Sequence, residues 1–291
     1  MLKKYGLRKI GITTLLLLLA FIMYHYPTQI NDNINSVIKN NVDVVVQKED
    51  YLSMITVNCK NNDVSTKIET IIEQLKKNHL LDSNLKILSY DLKEGLLKID
   101  FNRSFYQMED ENKTMEALVF SLTRVPEIDR IMIFVDGVKL NELPNSHTPL
   151  DLYLDKSYGI NKIYDIHSIH DIDQVTLYFY DSNHDMVPVT YYYNQNNQDK
   201  IKVIIKELKS HEYLSYPLSN FLNNNLELMN YEIKDQKILL DFNEFLLVDG
   251  LLTEDTKYSI AYSIMDSIDV KEVEFTINSA EISEIILAKS V

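Results

Sequence analysis

NLKILSYDLKEGLLKIDFN, residues 84–102, and NLELMNYEIKDQKILLDFN, residues 225–243, align along their whole length. Both open on Asn-Leu, carry a tyrosine in the middle (Tyr90, Tyr231) with a lysine after it (Lys93, Lys234), and close on Asp-Phe-Asn. Each reads as two short strands joined by a charged turn, Lys93-Glu94-Gly95 and Lys234-Asp235-Gln236, which is hairpin patterning. A hairpin present twice means that the chain is a duplication, and the extent of the repeat decides the fold.

Upstream, TKIETIIEQLKKNHLLDS (66–83) matches DKIKVIIKELKSHEYLSY (199–216). Ile68, Ile71, Ile72 and Leu75, like Ile201, Ile204, Ile205 and Leu208, fall at i, i+3, i+4 and i+7, one face of a helix. Thr66 and Asp199 stand where a side-chain oxygen can cap the first N–H groups. The offset between copies grows from 133 to 141 residues, which places a longer loop near residues 216–224. Downstream, a second helix is expected over 114–124 and 254–266, with Met115, Leu118, Val119 and Leu122 facing inward in the first copy. Tyr258, Ala261, Tyr262 and Met265 do so in the second. A strand closes each copy, at 130–135 and 272–277. Strand pairs open them, at 42–46 with 51–57 and at 174–180 with 186–193.

The fold class is therefore α+β: two tandem modules, each a strand pair followed by α-β-β-α-β. A mixed sheet with both helices on one face is the simplest way to bury those stripes. The expected division is an anchor over 1–26, a juxtamembrane stretch over 27–40, a first module over 41–150, a linker over 151–172 and a second module over 173–291.

The anchor rests on IGITTLLLLLAFIMY (10–24), an uncharged apolar run that includes Ile10, Leu15, Leu19, Phe21 and Tyr24. Lys3, Lys4, Arg8 and Lys9 precede it, and no acid follows until Asp32. Basic residues stay on the cytoplasmic side, so the expectation is a single-pass protein with its modules outside the cytoplasm. Counted to Tyr26, the run reaches 17 residues, the lower end of what a span needs. A cleaved signal peptide would want small residues after Ala20, where Phe21, Ile22 and Met23 stand instead. Residues 27–291 hold the other 25 basic groups and all 43 acidic ones, a net charge of −18. Such a surface repels phosphate backbones, so no nucleic-acid partner is expected. Cys59 is the one cysteine, so no internal disulfide can form and stability must come from burial. At 45% apolar and 25% charged residues, the composition allows a sizeable core.

With the repeat in view, the chain resembles the GerM family of sporulation proteins. QVTLYFYDSNHDMVPVTYYY (174–193), with Val187-Pro188-Val189, resembles the family's opening strand pair. Ile99-Asp100-Phe101-Asn102 and Leu240-Asp241-Phe242-Asn243 resemble its strand-ending step, and Phe134-Val135-Asp136-Gly137 its closing strand and turn. The second copy departs from the last of these, carrying Asn278-Ser279 in place of Asp-Gly. The likeness covers residues 40–150 and 172–288. It implies tandem domains akin to ring-building motifs, lying outside the cytoplasm between mother cell and forespore. It further implies a part in assembling the channel complex that joins the two, through contact with other membrane-anchored proteins, with self-association as an option.

No enzyme is expected: there is no Gly-rich phosphate loop, no G-x-S-x-G elbow, no H-E-x-x-H and no paired cysteine. No cofactor is expected either. Asp165, His167, His170, Asp171 and Asp173 combine metal-ligating types but read as a solvated polar linker. Asp100 and Asp241, with Asn102 and Asn243, read as backbone anchors where a strand breaks, while Phe101 and Phe242 enter the core. The candidate interaction surface is aromatic: Tyr178, Tyr180, Tyr191, Tyr192 and Tyr193, in one hairpin of a chain with 19 tyrosines and no tryptophan. Exposed, these would suit a protein interface or a sugar-stacking platform. The rival function is accordingly a peptidoglycan-binding module or a regulator of a wall enzyme.

Overall fold

The opening strands of the first copy, β1 (Asn41–Lys48) and β2 (Tyr51–Asn58), pair antiparallel in a computed structural model that describes residues 40–48, 50–210 and 218–283. Helix α1 (Val64–Lys77) follows. Its cap is Asp63, whose Oδ1 accepts the Thr66 N–H at 2.9 Å; Thr66, the expected cap, donates its hydroxyl to Asp63 instead. Strands β3 (Ile87–Lys93) and β4 (Leu96–Phe101) form the hairpin read from sequence. Its two turn residues, Glu94 and Gly95, have φ of 51° and 73°, as a two-residue hairpin turn requires. Helix α2 (Glu111–Thr123) begins three residues before the expected start at 114, because Asp110 caps it through the Lys113 N–H. Strand β5 (Arg130–Val135) lies parallel to β4, and β6 (Val138–Lys139) and β7 (Leu154–Asp155) both pair with β5.

After β8 (Ile163–Asp165), the second copy repeats the plan. It runs β9 (Ile172–Tyr180), β10 (Met186–Asn194), α3 (Lys200–Lys209), β11 (Leu228–Lys234), β12 (Lys237–Phe242), α4 (Glu254–Ser267), β13 (Glu272–Ile277) and β14 (Ala280–Ser283). Asp199 caps α3 as expected, accepting from Ile201 and Lys202. Asn278 and Ser279, with φ of 47° and 64°, adopt the same left-handed pair as Asp136 and Gly137 at 49° and 77°. The altered sequence thus makes the same turn.

One expectation is corrected. The strand pairs do not join the sheets of their own modules. β3-β4-β5-β6, with β7, and β11-β12-β13-β14 are separate mixed sheets. The two opening hairpins merge instead into a third sheet, β1-β2-β10-β8 with β9 outside β10. A bare strand edge seeks a partner, and β2 finds it in the other copy. The direct pairing is one residue pair, Met54 opposite Met186. Asn161 completes the seam: its Nδ2 donates to the carbonyls of Leu52 and Pro188, each at 2.7 Å, and its Oδ1 accepts the Leu52 N–H at 2.8 Å. Lys48 reaches Asp185 across it at 3.3 Å. Residues 151–172 are thus more than a connection, supplying β7 to the first sheet and β8 to the shared one. From Asn41 onward the described residues form one compact unit.

The cores are built by the positions the repeat picked out. Ile68, Ile71, Ile72, Leu75, Met115, Leu118, Val119 and Leu122 are buried in the first, and Ile201, Ile204, Ile205 and Leu208 in the second. Phe101 stacks on Phe105 at 5.1 Å and Phe242 on Phe275 at 6.3 Å. The asparagines after them do identical work. Asn102 accepts from Lys86 N–H and donates to Asn84 carbonyl; Asn243 accepts from Glu227 N–H and donates to Asn225 carbonyl. Asp100 takes the Gly137 N–H and Asp241 the Ser279 N–H. The hydrogen bond from Ser279 holds the Asp241 carboxyl below its ordinary pKa.

Helix α4 buries Ala261 and Met265 as expected, but its buried face is turned away from the expected tyrosines. Ile260, Ala261, Ile264 and Met265 face the core, while Tyr258 and Tyr262 are half-buried. Beside them Ser259, Ser263 and Ser267, four residues apart, run along the outer edge of β9. Ser263 Oγ accepts the Tyr178 N–H at 2.9 Å, Ser267 Oγ the Thr176 N–H at 2.9 Å, and Ser259 donates to the Tyr178 carbonyl at 2.6 Å. The helix thus stands in for a missing strand. Ser121 of α2 does likewise for Val45 at 3.0 Å. Ser263→Ala leaves a buried N–H unpaired and is expected to destabilise by about 1–3 kcal/mol in urea unfolding. A change under about 0.3 kcal/mol would remove the helix-for-strand account.

The expected anchor residues Ile10, Leu15, Leu19, Phe21 and Tyr24 lie outside the described residues. Among those described, no helix is long and apolar enough to cross a membrane.

Candidate functional site

The tyrosine platform is corrected by burial. Tyr178 is fully buried, and Tyr180, Tyr191 and Tyr193 are 5%, 4% and 4% exposed; Tyr192 is half-buried. Strand alternation does put Tyr191 and Tyr193 on one face, stacked at 6.0 Å. That face belongs to the second core, however, while Tyr178 reaches into the first. Because the hairpin bridges two modules, both its faces are covered, and these side chains do not form an outward platform. Tyr164 is the exposed aromatic here, at 63%, lying 4.8 Å over Tyr192.

The His/Asp cluster is dispersed by other partners. Asp165 accepts from the Tyr191 hydroxyl at 2.6 Å, and Asp173 is paired with Lys200 at 2.8 Å. His167 is 87% exposed at its side chain, with Nε2 3.2 Å from Asp165. The loop's shape comes from Asn194, which accepts from the N–H groups of His167 and Ser168 and donates to the carbonyls of Ser168 and His170. Among the described residues no group of three His, Cys, Asp or Glu side chains is placed to hold a metal ion.

What the structure does bring together lies between the modules. Arg124, at the end of α2, donates from Nη1 to Asp266 Oδ2 of α4 at 2.8 Å and to the Tyr178 hydroxyl at 3.1 Å; its Nη2 donates to Asp43 Oδ2 of β1 at 3.1 Å. Lys156 reaches the other Asp266 oxygen at 2.6 Å, and the Tyr178 hydroxyl donates to Asp266 as well. The Arg124 guanidinium also lies 5.3 Å from the Tyr262 ring, within cation–π range. Burial works against the charge on Asp266, whose side chain is 3% exposed, but Arg124 and Lys156 outweigh it and hold the carboxyl well below the usual carboxylate range. Burial drives the Tyr178 hydroxyl well above its ordinary pKa. Asp43, Arg124, Lys156, Tyr262 and Asp266 line a cleft of about 770 Å³.

Two further surfaces are repeated. β3 and β11 each end their sheet, and each is bulged at the same step, between Ile87 and Ser89 and between Leu228 and Asn230. The bulge residues Leu88 and Met229, which align with each other, are 51% and 58% exposed. The sequence alignment already holds this correspondence. The Arg124 cluster was not legible in it, because its members span residues 43 to 266 and come from both copies.

A family model described as "Germane: Sporulation and spore germination" matches residues 26–141 and 176–283. "Spore germination protein GerM" of Bacillus subtilis (strain 168) is 30% identical over 200 residues, 64% of this chain and 54% of that protein. The chain thus spans about half the length of that relative. In structure, the tandem GerMN domains of the sporulation protein GerM from Bacillus subtilis superpose with a TM-score of 0.75 at 22% identity, over 86% of this chain and 98% of that one. That likeness is one of fold, and it includes both modules. Repeat, fold and family model agree: the chain belongs to the Germane family of sporulation and spore germination proteins, with tandem GerMN-like domains.

Proposed function

We propose that this protein acts in sporulation without catalysis, as a membrane-tethered assembly protein outside the cytoplasm that helps build the channel complex between mother cell and forespore. The observation that carries this reading is the repetition of one exposed edge. β3 and β11 present unpaired backbone with an exposed apolar residue at the same bulge, Leu88 and Met229, and sheet edges bind other chains side by side. The charge of −18 beyond residue 26 favours soluble protein partners over wall polyanions or anionic lipid. The name of the Bacillus subtilis relative places that protein in spore germination, and the apolar run at 10–24 supplies a tether for this one.

The test is an in-cell crosslink and pull-down of the tagged chain from membranes, sampled through growth and spore formation. Other anchored proteins of the sporulation channel should be enriched, and only in sporulating cells. Recovery of wall hydrolases or glycan fragments during ordinary growth would instead support the rival, a peptidoglycan-binding module. Tyr164, exposed and stacked on Tyr192, is the side chain that would then carry sugar stacking.

A further inference from the structure

The outer edge of β5 is covered at both ends by strands that return to it. β6 pairs with Phe134 and Val135, and β7 comes back antiparallel to pair with Arg130 and Ile131. Leu154 of β7, opposite Ile131, is buried in the first core. The second copy has only the first half of this arrangement. There β14 pairs with Ile277, Thr276 and Phe275 and ends at Ser283, opposite Phe275. RIMIFV (130–135) and EVEFTI (272–277) align, so the place that β7 fills lies beside Glu272 and Val273. Among the described residues no strand pairs with those two on that side of β13.

We infer that this edge docks the chain's own residues 284–291, EIILAKSV, which lie outside the described residues, and that they do for the second sheet what β7 does for the first. β14 already runs antiparallel to β13 and heads along the edge toward Glu272, the direction that β7 takes past β5. Three residues beyond Ser283 reach the level of Glu272, and eight follow it. In the register of Phe275 and Ser283, Ile285 comes opposite Val273 and Ile286 opposite Glu272. Opposite residues of an antiparallel pair share a face, and Val273 is fully buried. Ile285 therefore turns toward the second core, as Leu154 turns toward the first beside Ile131. Glu284 falls opposite Glu274, whose charge Lys237 answers at 2.8 Å. Ile285 and Ile286 favour a strand, and the segment has no proline to interrupt pairing. The docked segment takes the backbone groups of β13 that a strand of another chain would otherwise use. The inference goes beyond the assembly reading and does not depend on it.

The test uses the full-length chain and two readings. In hydrogen exchange, residues 284–291 of the unaltered chain should exchange about tenfold or more slowly than the free octapeptide Glu-Ile-Ile-Leu-Ala-Lys-Ser-Val. Exchange at the free-peptide rate overturns the inference. The second reading fixes the place. Glu272→Cys/Ile286→Cys should form a disulfide within one chain on mild oxidation, because directly opposite residues bring their Cβ atoms within bonding reach. Met229→Cys/Ile286→Cys should stay reduced, since β11 lies two strands away from β13. Equal disulfide formation by both pairs means a segment that samples the whole surface, and it overturns the inference. Slow exchange without the Glu272→Cys/Ile286→Cys disulfide puts the segment elsewhere and overturns it too. A disulfide between two chains, read as a dimer on a non-reducing gel, would put the segment on a second copy and overturn it likewise.

Discussion

Arg124→Met is expected to cost about 3–5 kcal/mol, the range for removing one partner from a buried ion pair. In a body of this size that lowers the thermal midpoint by about 10 °C. The reason is what stays behind. Asp266, 3% exposed at its side chain, keeps only Lys156 and the Tyr178 hydroxyl, and Asp43 loses its guanidinium. Arg124→Met/Asp266→Leu should cost less than the sum of the two single changes, because it deletes the orphaned charge with its partner. A midpoint within 2 °C of wild type for Arg124→Met would mean that water already screens the cluster. The pH dependence follows from the sign of the shift. The Asp266 carboxyl has a lower pKa folded than its unfolded value of 3.8. Its contribution is therefore complete above about pH 4 and is lost as pH falls toward the folded value. The stability gap between wild type and Asp266→Asn should accordingly shrink on acidification below pH 4.

Phe242→Ala should be of similar size, about 3–5 kcal/mol. The ring is fully buried in the second core, stacked on Phe275, and sits beside Asp241 and Asn243, which fix the strand end. Its counterpart Phe101→Ala should match it, since Phe101 is fully buried at the same strand-end position, stacked on Phe105 of the turn that follows. The more telling readout is cooperativity. Because β2 pairs with β10 and Tyr178 of the second copy sits in the first core, either change should lower a single transition seen by probes in both modules. Two resolved transitions, with only the mutated module weakened, would show that the shared sheet does not couple them.

The repeat made the modules legible. Ile68, Ile71, Ile72 and Leu75, the hairpin turn at Glu94-Gly95 and the backbone roles of Asn102 and Asn243 all follow from local pattern, because helix faces and tight turns are set by near neighbours. The shared sheet was hidden for the opposite reason. Met54 and Met186 meet across 132 positions, and nothing in either strand marks its edge as the one that crosses over. The tyrosines misled by the same route: strand alternation separated their faces correctly but could not say that both would be covered. The α4 serines were available as a signal, at 259, 263 and 267, but a polar stripe on a helix is ordinarily read as its solvent side.

The seam made by Asn161 and Met54–Met186 turns two copies into a gauge. Tandem domains on a slack tether offer their binding edges over a range of separations, and a partner that grips both must first restrict that range. Here β3 and β11 belong to one compact unit, so the separation is set before any partner arrives. A partner whose own repeat matches that spacing gains the second contact at little entropic cost, and one with a different spacing gains no second contact at all. The pitch between the edges would thereby select its partners, independently of the side chains that line either edge.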